Sequence, residues 1–599
     1  MFISNHLRIG VVALTVVLLQ TESKPLLAEQ KASPAAPLIR LLKSGRVPHE
    51  RMGSLIELVG QRGNAEDLAY LFQEAITSDK FSSELRLKTL QALTEAANNR
   101  KILPGGDLSG LGKFIVPATS TPQDVTLQLA AIRLAGACRA KPLAESLAKV
   151  ALDEKSALNA RQAALDSLVG VDTKVARHTI DQLTPPHQPH SVRSLGVGAL
   201  AGLDVDAAAT AAAEVLAASD VNQDPALLID AFLEIKGGPD KLAAALSGKE
   251  LPPDVAKIAL RHMYSVGRTD AALAAALSSS AGLSANPDPP SPEEVKALAA
   301  EVLARGDAAR GEAIFRRADV SCMKCHAVSK AGGQVGPDLS AVGASSPVDY
   351  LINSIMQPNQ AVKEAFLTRV VVTDAGKVYQ GIVVDRNDQR LILKDATSVL
   401  TEVPIADIDE EFEGESLMPQ GLTKFLTHDE IVDLVRFLSE LGKPGPWAVR
   451  KTPTIQRWRV LHQWPDSLAA ANVDADLLRE ETLATRLEAR TSVYSYVGGG
   501  LPLADVQRVS PSPLLYLRAE IDVTVAGKVG FEIDSPAPLQ SAVNERPLSP
   551  EQEFEVDLRV GRHVLHLLVD TTSTSGGDLR AELFRVDGSK AEFEVIGGQ

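Results

Sequence analysis

From about Pro37 to Gly282, apolar positions recur at helical spacing, in segments of a dozen or so residues separated by short Gly, Asp, Asn and Pro breaks. That period predicts amphipathic helices almost throughout. Four segments resemble one another: LAAIRLAG ends at Gly136, AALDSLVG at Gly170, GVGALAG at Gly202 and DAFLEIKG at Gly237. The steps between these glycines are 34, 32 and 35 residues. A repeat of this size, with two helices per unit, predicts an α-solenoid, because a single helix pair cannot bury its apolar face alone. The glycines are expected at helix C-termini, where a positive φ is needed.

The pattern then changes. A Pro/Ser-rich stretch at residues 283–292, SANPDPPSP from Ser284 on, predicts a linker. Residues 293–443 carry helical segments around a β insert at about 366–411. Its four β-branched runs, FLTRVVVT, VYQGIVVD, RLILKD and VLTEVP, are separated by turn signals and predict a meander. After a second break, Lys443 to Pro446, comes a Trp-bearing segment (Trp458, Trp464). Then follow the strand candidates LLYLRAEIDVT, KVGFEIDS, EFEVDLRV, HVLHLLVD and LRAELFRV. Their spacing predicts an antiparallel β-sandwich over residues 450–599. The helical stretch, residues 37–282, resembles HEAT-type repeats. The C-terminal stretch resembles a jelly-roll module of the carbohydrate-binding kind, which implies glycan or matrix contact, with a structural or docking role as the alternative.

A chain of 599 residues is too long for one core. Aromatic content of 4% suits a large Ala/Leu-rich helical part, and a net charge of -15 without a dense Lys/Arg stripe argues against nucleic acid as a partner. Arg8 precedes the apolar run Ile9 to Leu19, and a polar stretch follows. This order reads as an export signal, residues 1–28, with cleavage near Ala28. The run is too short to span a bilayer comfortably, which favours a signal peptide; an uncleaved anchor is the alternative. The expected location is periplasmic or otherwise exported. No Cys follows the run, which argues against a lipoprotein anchor.

The cysteines are Cys138, Cys322 and Cys325. An exported domain stapled by disulfides would carry more, and in even number. Cys138, in an apolar helical stretch, reads as a buried free thiol. Cys322-Met323-Lys324-Cys325-His326 is a C-x-x-C-H motif, which in an exported chain reads as covalent attachment of one c-type haem. The two thiols would bond the macrocycle as thioethers, and His326 would be the proximal iron ligand. A redox dithiol would call for a βαβ context, and a zinc site for further ligands. His187 and His190 (HQPH) lie in a Pro-rich turn and read as turn residues. No Ser/His/Asp set, catalytic carboxylate pair or nucleotide loop stands out.

The surroundings sharpen this reading. Gly306 to Arg317 predicts a helix with Gly311 and Phe315 on one face. Thr427 and Glu430 form a capping box that starts the amphipathic helix EIVDLVRFLSEL, with Phe437 on its apolar face. GEAIF, SCMKCHAVSKAGGQVGPDLSAVG, YLINSIMQPNQAV and SLMPQGL, in that order, resemble the planctomycete and verrucomicrobial type of haem-binding domain, a class I cytochrome c relative, over residues 305–442. The resemblance implies that the first and last helices cross, glycine facing aromatic. It also implies that the Pro337 carbonyl orients His326 from the second shell, and that Met418 is the distal iron ligand. Met356, in a helical pattern, reads as packing, and His428 as an exposed first-turn residue.

The expected fold is therefore multidomain: a HEAT-like α-solenoid, an α-helical cytochrome c domain with a small β insert, and a C-terminal antiparallel β-sandwich. The expected function is that of an electron carrier, not an enzyme in itself, since His/Met ligation fills both axial positions. Its partner would be a redox protein, such as a periplasmic sugar-type dehydrogenase. The alternatives are a haem sensor or peroxidase with an open sixth position, and an interaction scaffold that retains its haem domain.

Overall fold

The computed structural model describes residues 33–116, 122–283, 289–317, 319–374, 376–450, 452–461, 490–510, 512–544, 546–548, 552–572 and 576–597. The export-signal segment, half of the first linker and Trp464 lie outside the described residues. The chain forms two compact units, residues 1–188 and 189–599. The boundary falls inside the helical run, at the Pro-rich turn that holds His187.

In the first unit, helix His49–Arg62 packs on Ser83–Glu95, which packs on Pro122–Ala137, which packs on Leu158–Val171. Each buries an apolar face: Ile56 and Val59 in the first, Ala131, Ile132 and Leu134 in the third, and Ala164, Leu165 and Leu168 in the fourth. Of the repeat glycines, Gly136 and Gly170 sit inside helices, not after them. Gly136 is needed for contact: a Cβ there would meet the Ser167 side chain at 2.5 Å. In the second unit the alternation continues. His190–Ala201 packs on Ala226–Leu233 and that on Pro253–Ser265, while Val205–Ala217 packs on Gly238–Leu246 and that on Ala271–Ser280. Gly202 caps a helix with φ -72°, and only Gly237, at φ 76°, takes the left-handed conformation expected of all four. Small size, not left-handed freedom, is what the helix contact at Gly136 selects.

Helix Pro292–Arg305 begins directly after the first break, with Ser291 and Glu294 forming a capping box. Helix Ala308–Arg316 follows, capped by Asp307, and the last helix of this part, His428–Glu440, is capped by Thr427 and Glu430. These two helices cross in intimate contact. Between them lie a helical turn at Cys322–Cys325, a two-residue ladder of β1 (Ala327–Val328) with β2 (Ala331–Gly332), and helix Val348–Met356.

The insert is a five-stranded antiparallel sheet, not a four-stranded one. β3 (Thr368–Thr373), β4 (Val378–Arg386), β5 (Arg390–Lys394), β6 (Leu400–Pro404) and β7 (Ile408–Glu413) lie in the order β6-β5-β4-β3-β7. β7 reads IDEEFE and is rich in residues of low strand propensity. It pairs only with β3 at the sheet edge, where charged side chains are tolerated.

The C-terminal region is a separate antiparallel β structure. One sheet has the order β14-β13-β16-β11-β8-β9, with β18 beside β11; the other has the order β10-β17-β12-β15. The strands are β8 (Arg457–Leu461), β9 (Arg490–Tyr494), β10 (Leu501–Pro502), β11 (Leu514–Val525), β12 (Gly527–Asp534), β13 (Leu539–Val543), β14 (Arg546–Pro547), β15 (Glu553–Leu558), β16 (Gly561–Asp570), β17 (Asp578–Arg585) and β18 (Glu592–Val595). Alternate residues of both sheets, among them Leu517, Ile521, Phe531, Leu567 and Leu583, share one core with the fully buried Trp458. β8 and β18 share one edge of β11 in succession: β8 pairs at Leu517 and Arg518, and β18 from Ile521 on.

Candidate functional site

The turn Cys322–Cys325 is held from both sides. Ser321, in a left-handed conformation (φ 60°), precedes it, and the His326 amide donates to the Cys322 carbonyl at 3.0 Å. The chain then folds back on the turn: the amide of Gly333 donates to the Met323 carbonyl, and that of Gly336 to the Cys325 carbonyl, at 2.9 and 2.8 Å. These returns need bare backbone. A Cβ on Gly333 would lie 1.9 Å from the Lys324 carbonyl oxygen, and one on Gly336 would lie 2.7 Å from Cε1 of the His326 ring. The imidazole therefore rests in a cradle that any larger residue at 336 would fill.

His326 Nδ1 stands 2.9 Å from the Pro337 carbonyl oxygen, the contact that the sequence resemblance implies. A carbonyl only accepts, so Nδ1 carries the proton and Nε2 keeps its lone pair. Burial holds the imidazolium pKa below its ordinary value and outweighs the opposite pull of the Pro337 carbonyl. The ring is thus neutral near neutral pH, with Nε2 free of protein hydrogen bonds among the described residues.

His326 opens onto a cavity of about 360 Å³. Cys322, Cys325, Pro337 and Met418 line it as well, and its walls are largely apolar, from Phe315, Leu351, Ile382, Leu434 and Leu438. The size and lining are those of cofactor sites in general. Cys322 and Cys325 are free thiols. Burial pushes the Cys322 thiol up to about 11 and raises Cys325 as well. A redox-active dithiol is expected to be shifted the other way. Among the described residues no three His, Cys, Asp or Glu side chains are arranged to hold a bare metal ion. The Cys, Cys and His side chains line the cavity without converging on one point.

Met418 enters from a loop after β7. Its amide donates to Ser416 Oγ at 3.1 Å, and the Ser416 amide donates to Asn359 Oδ1 at 2.9 Å. Met356 packs with the core formed around the first and last helices and does not line the cavity. His428 is exposed and pairs with Glu301 at 2.7 Å. His190 begins a helix and contacts Ser219 Oγ at 2.7 Å.

Several supporting residues escaped the sequence reading. Glu312, fully enclosed, accepts from Arg316 (3.0 Å), Trp447 Nε1 (2.8 Å) and the Val497 amide (2.6 Å). Arg316 also reaches the Tyr494 carbonyl at 3.4 Å and Met323 Sδ at 3.8 Å. The turn Cys322–Cys325 is thereby tied to the end of β9 and the segment after it. The i,i+4 spacing of Glu312 and Arg316 was legible as a helix pair, but nothing in the sequence pointed to Trp447 or Val497. Lys394 of β5 donates to the Gln334 carbonyl at 2.7 Å, and Ile382 of β4 lines the cavity, so the insert sheet is one of its walls.

No protein-family model and no curated protein matches this chain.

Proposed function

We propose that this chain is an exported single-haem c-type cytochrome of class I type that transfers electrons to or from a partner protein. The observation that carries the reading is one cavity lined by both thiols of a C-x-x-C-H motif, by His326 and, from another loop, by Met418. The residues fit the group. Cys322 and Cys325 would hold its vinyl carbons as thioethers, and His326 Nε2 and Met418 Sδ would be its iron ligands. Haem bound in this way supplies reversible one-electron chemistry at iron. The protein's part is to hold that iron in one environment. Pro337 fixes the imidazole tautomer and plane, the Gly336 cradle fixes its depth, and the apolar walls keep water out. An axial methionine closes the site to exogenous ligands and favours the reduced state.

The helical run supports a HEAT-like solenoid by its alternating rows of packed helices, and the crossing of Ala308–Arg316 with His428–Glu440 supports a cytochrome c core. In this reading the redox partner is a periplasmic dehydrogenase of the sugar-oxidising type. The C-terminal sandwich acts first as a structural brace through Glu312 and Arg316, with glycan contact as its further role. The test is the optical spectrum of protein made with a c-type maturation system. The expected result is a low-spin spectrum with a weak far-red band from methionine on ferric iron. A five-coordinate, high-spin spectrum that shifts with carbon monoxide would replace this reading with a sensor or peroxidase.

A further inference from the structure

The segment from Pro419 to Leu426 joins Met418 to the last helix, and both of its ends are tied. At the near end, Thr368 Oγ1 of β3 donates to the Glu415 carbonyl at 2.7 Å, beside the Ser416–Asn359 contact. At the far end the ties come from helix Pro253–Ser265, a member of the helical run. Arg261 Nη1 donates to the Phe425 carbonyl at 3.4 Å and to both oxygens of Glu430 at 3.1 and 2.9 Å. The Tyr264 ring meets Phe425 edge-on, with centroids 5.6 Å apart, and Asp254 accepts the His428 amide at 3.1 Å. Arg261 Nε also lies 3.8 Å from Asp319, three residues before Cys322, and Arg317 bridges Asp319 and Glu430.

We propose that Arg261 and Tyr264 are positioning residues, which hold the Met418 loop and the arm leading to Cys322 in one register and so set how firmly Met418 is kept over the cavity. Arg261 is mostly covered, so its ion pairs are weakly screened, and its planar fork spans two carboxylates and a carbonyl at once. A lysine has no such fork. A loop tied at both ends samples fewer conformations than one tied at a single end, and releasing Arg261 frees the far end. The helical run becomes part of the site by this contact. The consequence for an iron–methionine bond rests on the function proposed above; the consequence for the loop does not.

The experiment compares the full-length, haem-loaded protein with Arg261→Ala, Arg261→Lys and Tyr264→Ala. Arg268→Ala serves as a control, since Arg268 bonds Asp270 and the Leu233 carbonyl within the helical run. Amide hydrogen exchange over residues 416–426 should rise about tenfold in Arg261→Ala and Tyr264→Ala, the scale of one lost charged contact. The core of helix His428–Glu440 should stay protected, Arg268→Ala should leave the loop unchanged, and Arg261→Lys should restore only part of the protection. The far-red methionine band should then be lost at a pH about one unit lower than in the parent, because a looser loop releases sulfur more readily. Loop exchange within about twofold of the parent in both Arg261→Ala and Tyr264→Ala would overturn the proposal. A parent without a far-red band would instead remove Met418 as ligand, and the exchange result would still decide the role of Arg261 and Tyr264.

Discussion

Gly311 and Asp433 meet backbone to backbone: a Cβ added at 311 would lie 1.9 Å from the Asp433 carbonyl oxygen and 2.7 Å from Cβ of Phe437. The first and last helices can cross this closely only because residue 311 has no side chain. Phe315 and Phe437 then meet at a tilt of 52° beside the crossing, with centroids 5.6 Å apart. Gly311→Ala must push apart two helix backbones that have no flexible atom to yield. It should cost about 3 kcal/mol, at the upper end for an overpacked core, and in the proposed cytochrome it should also lower the haem content. Gly170→Ala provides the contrast, since nothing stands within 4 Å of its added Cβ and it lies inside a helix. That change should stabilise by about 0.5 kcal/mol. Denaturant midpoints of the two variants test both signs.

Glu312 is the second place where a small change should have a large effect. Its carboxylate is enclosed, faces the mostly covered Arg316, and accepts four hydrogen bonds: two from Arg316 and one each from Trp447 and the Val497 amide. Glu312→Gln keeps the shape but leaves the Arg316 guanidinium without a counter-charge in a dry setting. Breaking one side of such a pair costs about 3–5 kcal/mol. The Trp447 fluorescence should report the loss directly, as its indole N–H donates to the carboxylate at 2.8 Å. A variant with parental stability and unchanged Trp447 emission would show that this contact does not brace the Cys322–Cys325 turn.

These two sites also mark how far the sequence could be read. Gly311, Phe315, Phe437 and the Thr427–Glu430 capping box were legible because helix periodicity and cap chemistry are local properties. The Cys322, Cys325 and His326 set was legible because its spacing is fixed within one turn of chain. The long-range ties were not. Trp447, Val497, Arg261 and Asn359 act through contacts with residues far along the chain, and no local pattern announces them. β7 was missed because an edge strand can be acidic, and β8 because RWRVL is too short to show alternation. The repeat glycines were read as helix ends from their spacing, but Gly136 is chosen for close packing against Ser167, which a single sequence does not reveal.

Acid sensitivity should centre on Glu430. Its burial alone would raise the carboxyl pKa; the Thr427 amide and the Arg261 and Arg317 guanidiniums outweigh that and hold it below the usual carboxylate range. In the unfolded chain it returns to about 4.3. A depressed folded pKa contributes stability that is fully present above about pH 4.3 and is lost as pH falls through the folded value. Glu430→Gln should therefore lower stability near neutral pH and flatten the acid limb of the stability curve. Denaturant unfolding at several pH values between about 3 and 7 makes the comparison. An acid limb as steep in the variant as in the parent would assign the sensitivity to other carboxylates.

Met418 and Met356 separate ligation from packing. Met418 lines the cavity from a loop that Ser416 and Asn359 hold, whereas Met356 ends helix Val348–Met356 and packs against the core beside it. In the cytochrome proposed above, Met418→Ala should abolish the far-red band and leave an iron that binds carbon monoxide or imidazole. It should lower the reduction potential, because a sulfur ligand favours the ferrous state. Its effect on global stability should be small, since the residue is only partly buried in a loop. Met356→Ala should do the opposite: the spectrum and potential should hold, while stability falls by about 1 kcal/mol, since Met356 is only partly buried but packs against the helical core. The two variants, compared in spectrum, potential and unfolding midpoint, form a crossed test in which each readout is expected to move in only one of them. If Met418→Ala retained a parental spectrum, the sixth position would be open or held by another group. Ligand-binding chemistry would then replace simple electron transfer as the function of the site.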